Sequence, residues 1–144
     1  MAAIEVRIIE AVDERFVGAA VELYEAVGWT AYTQELEVLA AGLRGSSFLA
    51  AAFDGPALVG LVRVVSDDAT ISYVQDLLVH PDVQRRGIGA ALMAAVARRY
   101  AHLRQHVLLT DDEVGQRAFY ESMGYLETRD FRDGTLRAFV RFQA

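Results

Sequence analysis

Cysteine and lysine are both missing from this chain of 144 residues. Without cysteine there is no disulfide scaffold, no cysteine nucleophile and no cysteine-ligated zinc. Without lysine there is no Schiff-base chemistry and no P-loop, whose lysine contacts nucleotide phosphates. The 14 basic residues are all arginine, and 20 acidic residues give a net charge of −6. This balance disfavours binding to nucleic acid and weakly favours cationic or amine partners.

Long apolar runs are also scarce. The longest, residues 48–53 and 57–62, are far shorter than the roughly 20 residues that a membrane-spanning helix needs. Residues 1–7 carry Glu5 and no basic segment followed by an apolar run, so no signal peptide is predicted. We therefore expect a cytoplasmic protein without a membrane partner. No repeat or linker divides the sequence, which predicts a single domain over residues 1–144.

The first part of the chain predicts one strand and two helices. Residues 4–9 have the composition of a strand, and Asp13 is a plausible N-cap for a helix that Gly28 can end. Residues 29–32 predict an aromatic loop. Thr33 is the expected N-cap of a second, short amphipathic helix.

The middle of the chain predicts three consecutive strands. Residues 47–53, 57–66 and 70–79 are apolar or alternating runs, separated by Asp-Gly-Pro at 54–56 and Asp-Asp at 67–68. Both separators are favourable turn sequences. Short connections between consecutive strands indicate an antiparallel meander.

The remaining pattern alternates between helix and strand. We predict a helix over residues 87–102, a strand over 107–110, a helix over 115–123 and closing strands over 125–128 and 136–142. The complete order, β-α-α-β-β-β-α-β-α-β-β, is a mixed α/β arrangement.

The most informative segment is the loop at residues 84–90, Gln-Arg-Arg-Gly-Ile-Gly-Ala, between a strand and a helix. Gly87 and Gly89 let the backbone approach a ligand closely. The first amides of the helix point outward at its positive dipole end, where they favour a phosphate group. Arg85 and Arg86 add two guanidinium groups at the same place. The segment predicts a phosphate or pyrophosphate site.

Motif comparison narrows the kind of phosphate ligand. A dinucleotide fingerprint would need glycine at position 92, which is Leu92. The pattern Q/R-x-x-G-x-G/A is met in full by Gln84, Gly87 and Gly89. The alternative interpretation is that the glycines serve only the turn geometry and that the arginines are solvated surface residues.

Residues 79–92 and 118–125 together resemble the GNAT superfamily of N-acetyltransferases. The resemblance implies the GNAT acyl-CoA N-acyltransferase fold and acetyl-CoA as the cosubstrate, with no metal. It also implies direct transfer of an acetyl group to a primary amine, and a homodimer. Glu113 and Gln116 depart from the family, where many members have asparagine and alanine, which puts one side-chain contact to the cofactor arm in doubt.

The resemblance also assigns cofactor-binding residues. The strand around residues 77–79 would run beside the pantetheine arm, and residues 85–90 would cradle the pyrophosphate. The implied set is Leu77, Leu78, Val79, Gln84, Arg85, Arg86, Gly87, Ile88, Gly89, Ala90 and Tyr120.

Two residues are candidates for catalysis. Tyr120 occupies the family's general-acid position; the alternative is an aromatic residue that packs beside Phe119. Asp76 lies on the strand before the loop and is the candidate base, since acidic side chains on this strand can deprotonate the amine in related enzymes. Asp76 and Leu78 share one face of that strand, because side chains alternate. The alternative is a buried structural carboxylate.

Trp29 and Tyr32 are candidates for acceptor binding. Clustered aromatic rings can surround an ammonium group through cation–π attraction. Residues 23–32 also resemble a group of small GNAT proteins that act on aromatic or other small amines, which implies a small amine, aromatic or polyamine, as the acceptor. The alternative is that these rings cover the end of the first helix. Two other functions stay open: a catalytically silent acyl-CoA-binding sensor, and an enzyme that acetylates proteins.

The histidines are weaker candidates. His80 could assist catalysis, although a histidine before a proline is more often a loop residue. His102 and His106 are four residues apart, but no third ligand is evident, so no metal site is predicted.

Overall fold

The chain forms five strands and five helices in residues 3–143, the part that the structure, a computed structural model, describes. These are β1 (Ile4–Ile8), α1 (Glu14–Ala26), α2 (Thr30–Thr33), α3 (Leu36–Arg44), β2 (Phe48–Asp54), β3 (Ala57–Ser66), β4 (Ile71–Val79), α4 (Ile88–Arg99), β5 (Gln105–Leu108) and α5 (Gln116–Glu121). Two 3₁₀ segments, Pro81–Val83 and Thr128–Gly134, follow β4 and α5. The chain divides into a larger unit that ends at Leu108 and a smaller unit that begins at Leu109. The single-domain interpretation stays a prediction.

The larger unit is built on a sheet in the order β1-β2-β3-β4-β5. Strands β1 to β4 pair antiparallel, which confirms the predicted meander, and β5 pairs parallel to β4. Leu61 of β3 lies in a buried cluster with residues of α1 and α3, whereas its neighbour Gly60 approaches α4. Since successive residues of a strand point to opposite faces, helices cover both faces of the sheet.

The first helix begins and ends as predicted. The Asp13 carboxylate accepts a hydrogen bond from the Phe16 backbone N–H at 2.8 Å, which satisfies a free amide of the first turn. Gly28 follows α1 with φ +83°, a left-handed conformation that favours glycine.

The segment after α1 differs from the prediction in two ways. Thr30–Thr33 forms a short helix, so residues 29–32 are not wholly a loop. Thr33 is not an N-cap, because its hydroxyl donates to the Thr30 carbonyl at 3.3 Å, and α3 begins only at Leu36. The physical reason is the local hydrogen bonding of this segment: the Gln34 N–H donates to the Thr30 carbonyl at 3.0 Å, which closes a helical turn, and the Trp29 ring packs 6.0 Å from that of Tyr24.

The two closing strands are wrong as predictions. Residues 125–128 lead instead into the 3₁₀ segment Thr128–Gly134, where Arg132 and Asp133 have positive φ values that interrupt an extended chain. Residues 136–142 have no regular secondary structure, and Phe139 is 89% exposed. Alternating apolar residues form a strand only where a partner strand supplies hydrogen bonds, and none does so within residues 3–143.

The close approach of α4 to β3 gives a stability prediction. A Cβ atom at Gly60 would lie 3.0 Å from Ile88 and 3.1 Å from Leu92. We expect Gly60→Val to lower the free energy of unfolding by about 1–3 kcal/mol through overpacking, measured by urea denaturation. The control is Gly18→Ala on the exposed face of α1, where a Cβ meets nothing within 4 Å and alanine favours the helix. An unchanged urea midpoint for Gly60→Val would contradict the packing argument.

Candidate functional site

The end of β4 has one unpaired edge within the larger unit. Pairing between β4 and β5 stops at Val74 and Leu108, while Asp76 to Val79 continue to pair with β3. Among the described residues no strand occupies the other edge of this stretch. Its backbone N–H and C=O groups are therefore available to a bound ligand. Leu77 and Val79 are half-buried here, whereas Leu78 is part of the core.

In the loop after β4, the two residues that flank Arg86 both have left-handed backbone conformations. Arg85 has φ +65° and Gly87 has φ +79°, and a Cβ at Gly87 would meet nothing within 4 Å. The Gln84 amide donates to the Val79 carbonyl at 3.4 Å and so ties the loop to the end of β4. Gly87 is the N-cap of α4 and offers no capping side chain.

This loop has the donors that a pyrophosphate requires. The first N–H groups of α4, at Ile88, Gly89 and Ala90, have no intrahelical partner. They stand at the positive end of a helix of 12 residues, with the exposed guanidinium groups of Arg85 and Arg86 beside them. The donor set fits the phosphate end of an acyl-CoA.

A second group of functional side chains surrounds Asp76 in the larger unit. Asp76 is 4% exposed, and its Oδ2 accepts hydrogen bonds from the Tyr24 hydroxyl at 2.7 Å and from Arg63 Nε at 2.5 Å. Oδ1 accepts from the Tyr32 hydroxyl at 2.9 Å. Burial and the Asp76 carboxylate both raise the pKa of the Tyr24 phenol, so it stays a donor. We call Tyr24, Trp29, Tyr32, Arg63, Gln75 and Asp76 the Asp76 cluster.

The aromatic rings of this cluster form its outer part. The ring of Tyr32 lies 4.9 Å from that of Tyr24 and 6.4 Å from that of Trp29. Trp29 is 38% exposed. The exposed Gln75 donates from Nε2 to the Tyr32 hydroxyl at 3.1 Å. The structure thus brings the predicted residues Asp76, Trp29 and Tyr32 together.

A bulge in β4 places the Asp76 side chain on the face of the sheet where the rest of this cluster lies. Arg63 pairs with Asp76, but the next residue of β3, Val64, pairs with Val74, which leaves Gln75 as an additional residue. Neighbours on β3 point to opposite faces, so Asp76 and Val74 also lie on opposite faces although they are two residues apart. Asp76 shares the α1 face with Leu78, as the alternation predicts, because the bulge precedes both residues.

Sequence reasoning missed Tyr24, Arg63 and Gln75. Tyr24 fits the helical spacing of α1 and was indistinguishable from a core residue. Arg63 did carry a signal, because a single arginine in the apolar run Leu-Val-Arg-Val-Val needs a buried partner. Asp76 is that partner.

Tyr120 belongs to α5 in the smaller unit. It is half-buried, and its ring lies 5.0 Å from Phe119 and 6.1 Å from Tyr125. Burial, with Tyr125 and Asp111 nearby, raises the pKa of the Tyr120 phenol to about 12. The phenol is therefore protonated at neutral pH and able to donate a proton.

The histidines have separate local partners. His80 Nδ1 accepts from the Asp82 backbone N–H at 3.1 Å. His102 contacts the Asp68 carbonyl at 2.9 Å, and His106 contacts the Ser72 hydroxyl at 2.8 Å. Within residues 3–143 no three His, Asp or Glu side chains are grouped to hold a metal ion. No helix in the same part of the chain combines the length and apolar character needed to cross a membrane.

Comparison with known proteins places this geometry in a family. The model of the acetyltransferase (GNAT) domain matches residues 34–142. A GNAT-family acetyltransferase from Streptococcus pneumoniae is 31% identical, with 98% of each chain covered and a TM-score of 0.84. An aminoglycoside N-acetyltransferase in complex with CoA has the same fold, with a TM-score of 0.68 over 100% of this chain and 97% of that one, at 14% identity.

Curated relatives match over a part of their length. A protein named uncharacterized N-acetyltransferase ycf52, from Gracilaria tenuistipitata, is 32% identical over 51% of this chain. The chain spans 40 to 64% of the length of the proteins that carry this name. The family match over residues 34–142 and the close structural likeness agree with the resemblance found in the sequence. The chain belongs to the GNAT acetyltransferase family.

Proposed function

We propose that this protein is an acetyl-CoA-dependent N-acetyltransferase that acts on a small primary amine. The observation that carries the proposal is the uncapped start of α4 after Arg85 and Gly87, next to the open edge of β4. Membership of the GNAT family supports acetyl-CoA, rather than another phosphate ligand, as the occupant. A cytoplasmic location and a homodimer stay predictions.

Two regions of the chain would hold the cosubstrate. The N–H groups of Ile88, Gly89 and Ala90 and the side chains of Arg85 and Arg86 would bind its pyrophosphate. The backbone groups of residues 77–79 that face away from β3 would hydrogen-bond its pantetheine arm. These contacts fix the thioester end of the molecule relative to β4.

Direct transfer accounts for the chemistry without a covalent enzyme intermediate. The neutral amine nitrogen bonds to the acetyl carbon and the carbon–sulfur bond breaks. The thiolate takes the Tyr120 proton, and the proton that the nitrogen loses passes to a base or to water, from which Tyr120 regains its own. Tyr120 is the proposed proton donor, since it occupies the general-acid position that the family resemblance implies and its phenol is protonated at neutral pH. Asp76 as the general base stays a prediction.

The acceptor is proposed to contact the Asp76 cluster. Trp29 offers ring surface to solvent with Tyr32 beside it, and exposed aromatic rings attract ammonium groups and pack against carbon skeletons. The net charge of −6 also favours a cationic partner. A small amine fits this arrangement better than a folded protein, since two rings offer a limited contact area.

Calorimetry with acetyl-CoA and a thiol-release assay test the proposal. We expect one acetyl-CoA site per chain and turnover on at least one of spermidine, tyramine and tryptamine, with a lysine-containing peptide assayed beside them as the protein-like acceptor. The double variant Arg85→Ala/Arg86→Ala is expected to weaken acetyl-CoA binding about tenfold, because it removes charge-assisted hydrogen bonds. The matched control, Arg98→Ala, removes an exposed arginine from the other end of α4 and should bind normally.

Each other outcome identifies a different error. Absence of acetyl-CoA binding would overturn the cosubstrate assignment. Binding without turnover would favour a silent acyl-CoA-binding module. Turnover on the peptide alone would favour protein acetylation.

A further inference from the structure

Both carboxylate oxygens of Asp76 are already engaged. Oδ2 accepts from Tyr24 and Arg63, and Oδ1 accepts from Tyr32. The Arg63 guanidinium, itself 9% exposed, compensates the negative charge. A general base must reach the proton that it removes. Oδ1 keeps one free lone pair, but Asp76 is only 4% exposed, so its burial and its contacts together favour a role in fixing other side chains.

Among the side chains that Asp76 holds in place, Tyr32 lies nearest to solvent. A phenol has one O–H and two acceptor lone pairs. The Tyr32 hydroxyl donates to Asp76 Oδ1 and accepts from the exposed Gln75 amide, so one lone pair of its oxygen is left over. Donation to a carboxylate polarises the phenol and makes its oxygen a better acceptor.

We propose that Asp76 is a positioning residue, and that the Tyr32 hydroxyl oxygen, fixed by Asp76 and Gln75, accepts a hydrogen bond from the N–H of the incoming amine. The carbon skeleton of the amine then lies against the Trp29 ring. Asp76 takes no proton in this arrangement. The inference rests on the proposed function, since it requires that an amine docks on the Asp76 cluster.

Variants of the two residues separate positioning from proton transfer. We expect Tyr32→Phe to raise KM for the best amine of the panel about tenfold, the loss of one hydrogen bond, with kcat little changed. Asp76→Asn should have a similar effect, because an amide has one acceptor oxygen and cannot serve Tyr24, Arg63 and Tyr32 together. The double variant should be no worse than Asp76→Asn, since both changes remove the same contact.

The test holds even where Asp76→Asn fails to fold, because Tyr32→Phe leaves the Asp76–Arg63 pair intact. Trp29, the one tryptophan of the chain, reports on the cluster through its fluorescence, and its emission should keep the wild-type maximum in Tyr32→Phe. The matched control is Tyr100→Phe, which removes a phenol oxygen from a residue that packs against Phe48 rather than in the Asp76 cluster, and which should change kcat/KM by no more than about twofold.

Two results would contradict the positioning role of Asp76. A general base at Asp76 predicts that Asp76→Asn lowers kcat at least about 100-fold and abolishes the acidic limb of the kcat/KM pH profile. That outcome overturns the inference, as does a Tyr32→Phe variant with the KM of wild type. Either of these two outcomes can be seen only if the wild-type protein acetylates an amine. If the wild-type protein acetylates no amine, the proposed function itself has failed, and the inference fails together with it.

Discussion

Replacing Tyr120 with phenylalanine is expected to lower kcat by about 10²- to 10⁴-fold, the contribution of a positioned general acid. The change removes one oxygen from the ring and keeps its packing against Phe119 and Tyr125. Affinity for acetyl-CoA should therefore stay close to that of wild type. Thiol-release kinetics and calorimetry on the same preparation measure the two effects.

The raised pKa of Tyr120 sets the pH dependence of this role. A pKa of about 12 lies above that of an ordinary tyrosine, so the phenol remains protonated through the neutral and moderately alkaline range. An acid works in its protonated form, and the shift thus extends activity upward in pH. We expect no loss of kcat from Tyr120 ionisation below about pH 11, since only about a tenth of the phenol is ionised one unit below its pKa.

Tyr125→Phe is the matched control for Tyr120→Phe. Tyr125 is a second tyrosine of the smaller unit, and burial raises its pKa as well. Its loss should leave kcat within about twofold of wild type. A Tyr120→Phe protein that retained full kcat would exclude the acid role, and equal losses in both variants would indicate a packing effect.

The parts of the fold that local sequence dictates could be predicted well. The Asp13 cap, the glycine after α1 and the turns between β2, β3 and β4 depend on a few neighbouring residues, and the structure confirms them. The segment over residues 136–142 could not be predicted in this way. Its apolar and polar residues alternate as in a strand, but a strand also needs a partner strand. Whether a partner is available cannot be deduced from the residues of the segment alone.

The candidate site likewise has one part that local sequence could predict and one part that it could not. The loop at residues 84–90 is a local motif, and its residues could be identified from their spacing. The Asp76 cluster joins α1, α2, β3 and β4, and its partners lie up to 52 residues apart in the chain. The bulge at Gln75 decides which side chains of β4 meet α1, and no feature of residues 71–79 predicted it. Tyr24 and Arg63 became visible as partners only in the folded chain.

The largest expected effect on stability comes from the Arg63–Asp76 pair. Both side chains are buried, at 11% and 4% exposure, and their charged atoms are 2.5 Å apart. Asp76→Ala would leave the Arg63 guanidinium without its carboxylate in the interior. We expect a loss of about 3–5 kcal/mol in the free energy of unfolding, measured by urea denaturation. Since domains have about 5–15 kcal/mol in total, this is a large share of the stability.

A double-mutant cycle shows whether the loss comes from the unpaired charge. Arg63→Met leaves Asp76 with the two tyrosine donors and no cation, so it should also destabilise the protein. Arg63→Met combined with Asp76→Ala leaves no buried charge and should lose less stability than the sum of the two single losses, because the second change removes the unpaired charge that the first one creates. Glu5→Gln, which breaks the exposed pair with Arg7 and leaves Arg7 over the Phe53 ring, should leave the urea midpoint unchanged. Additive losses from the two single variants would mean that each residue contributes through its own packing and that Arg63 and Asp76 are not coupled. The Asp76 cluster would then lack the electrostatic coupling that helps to fix Asp76 and, through Asp76, Tyr32.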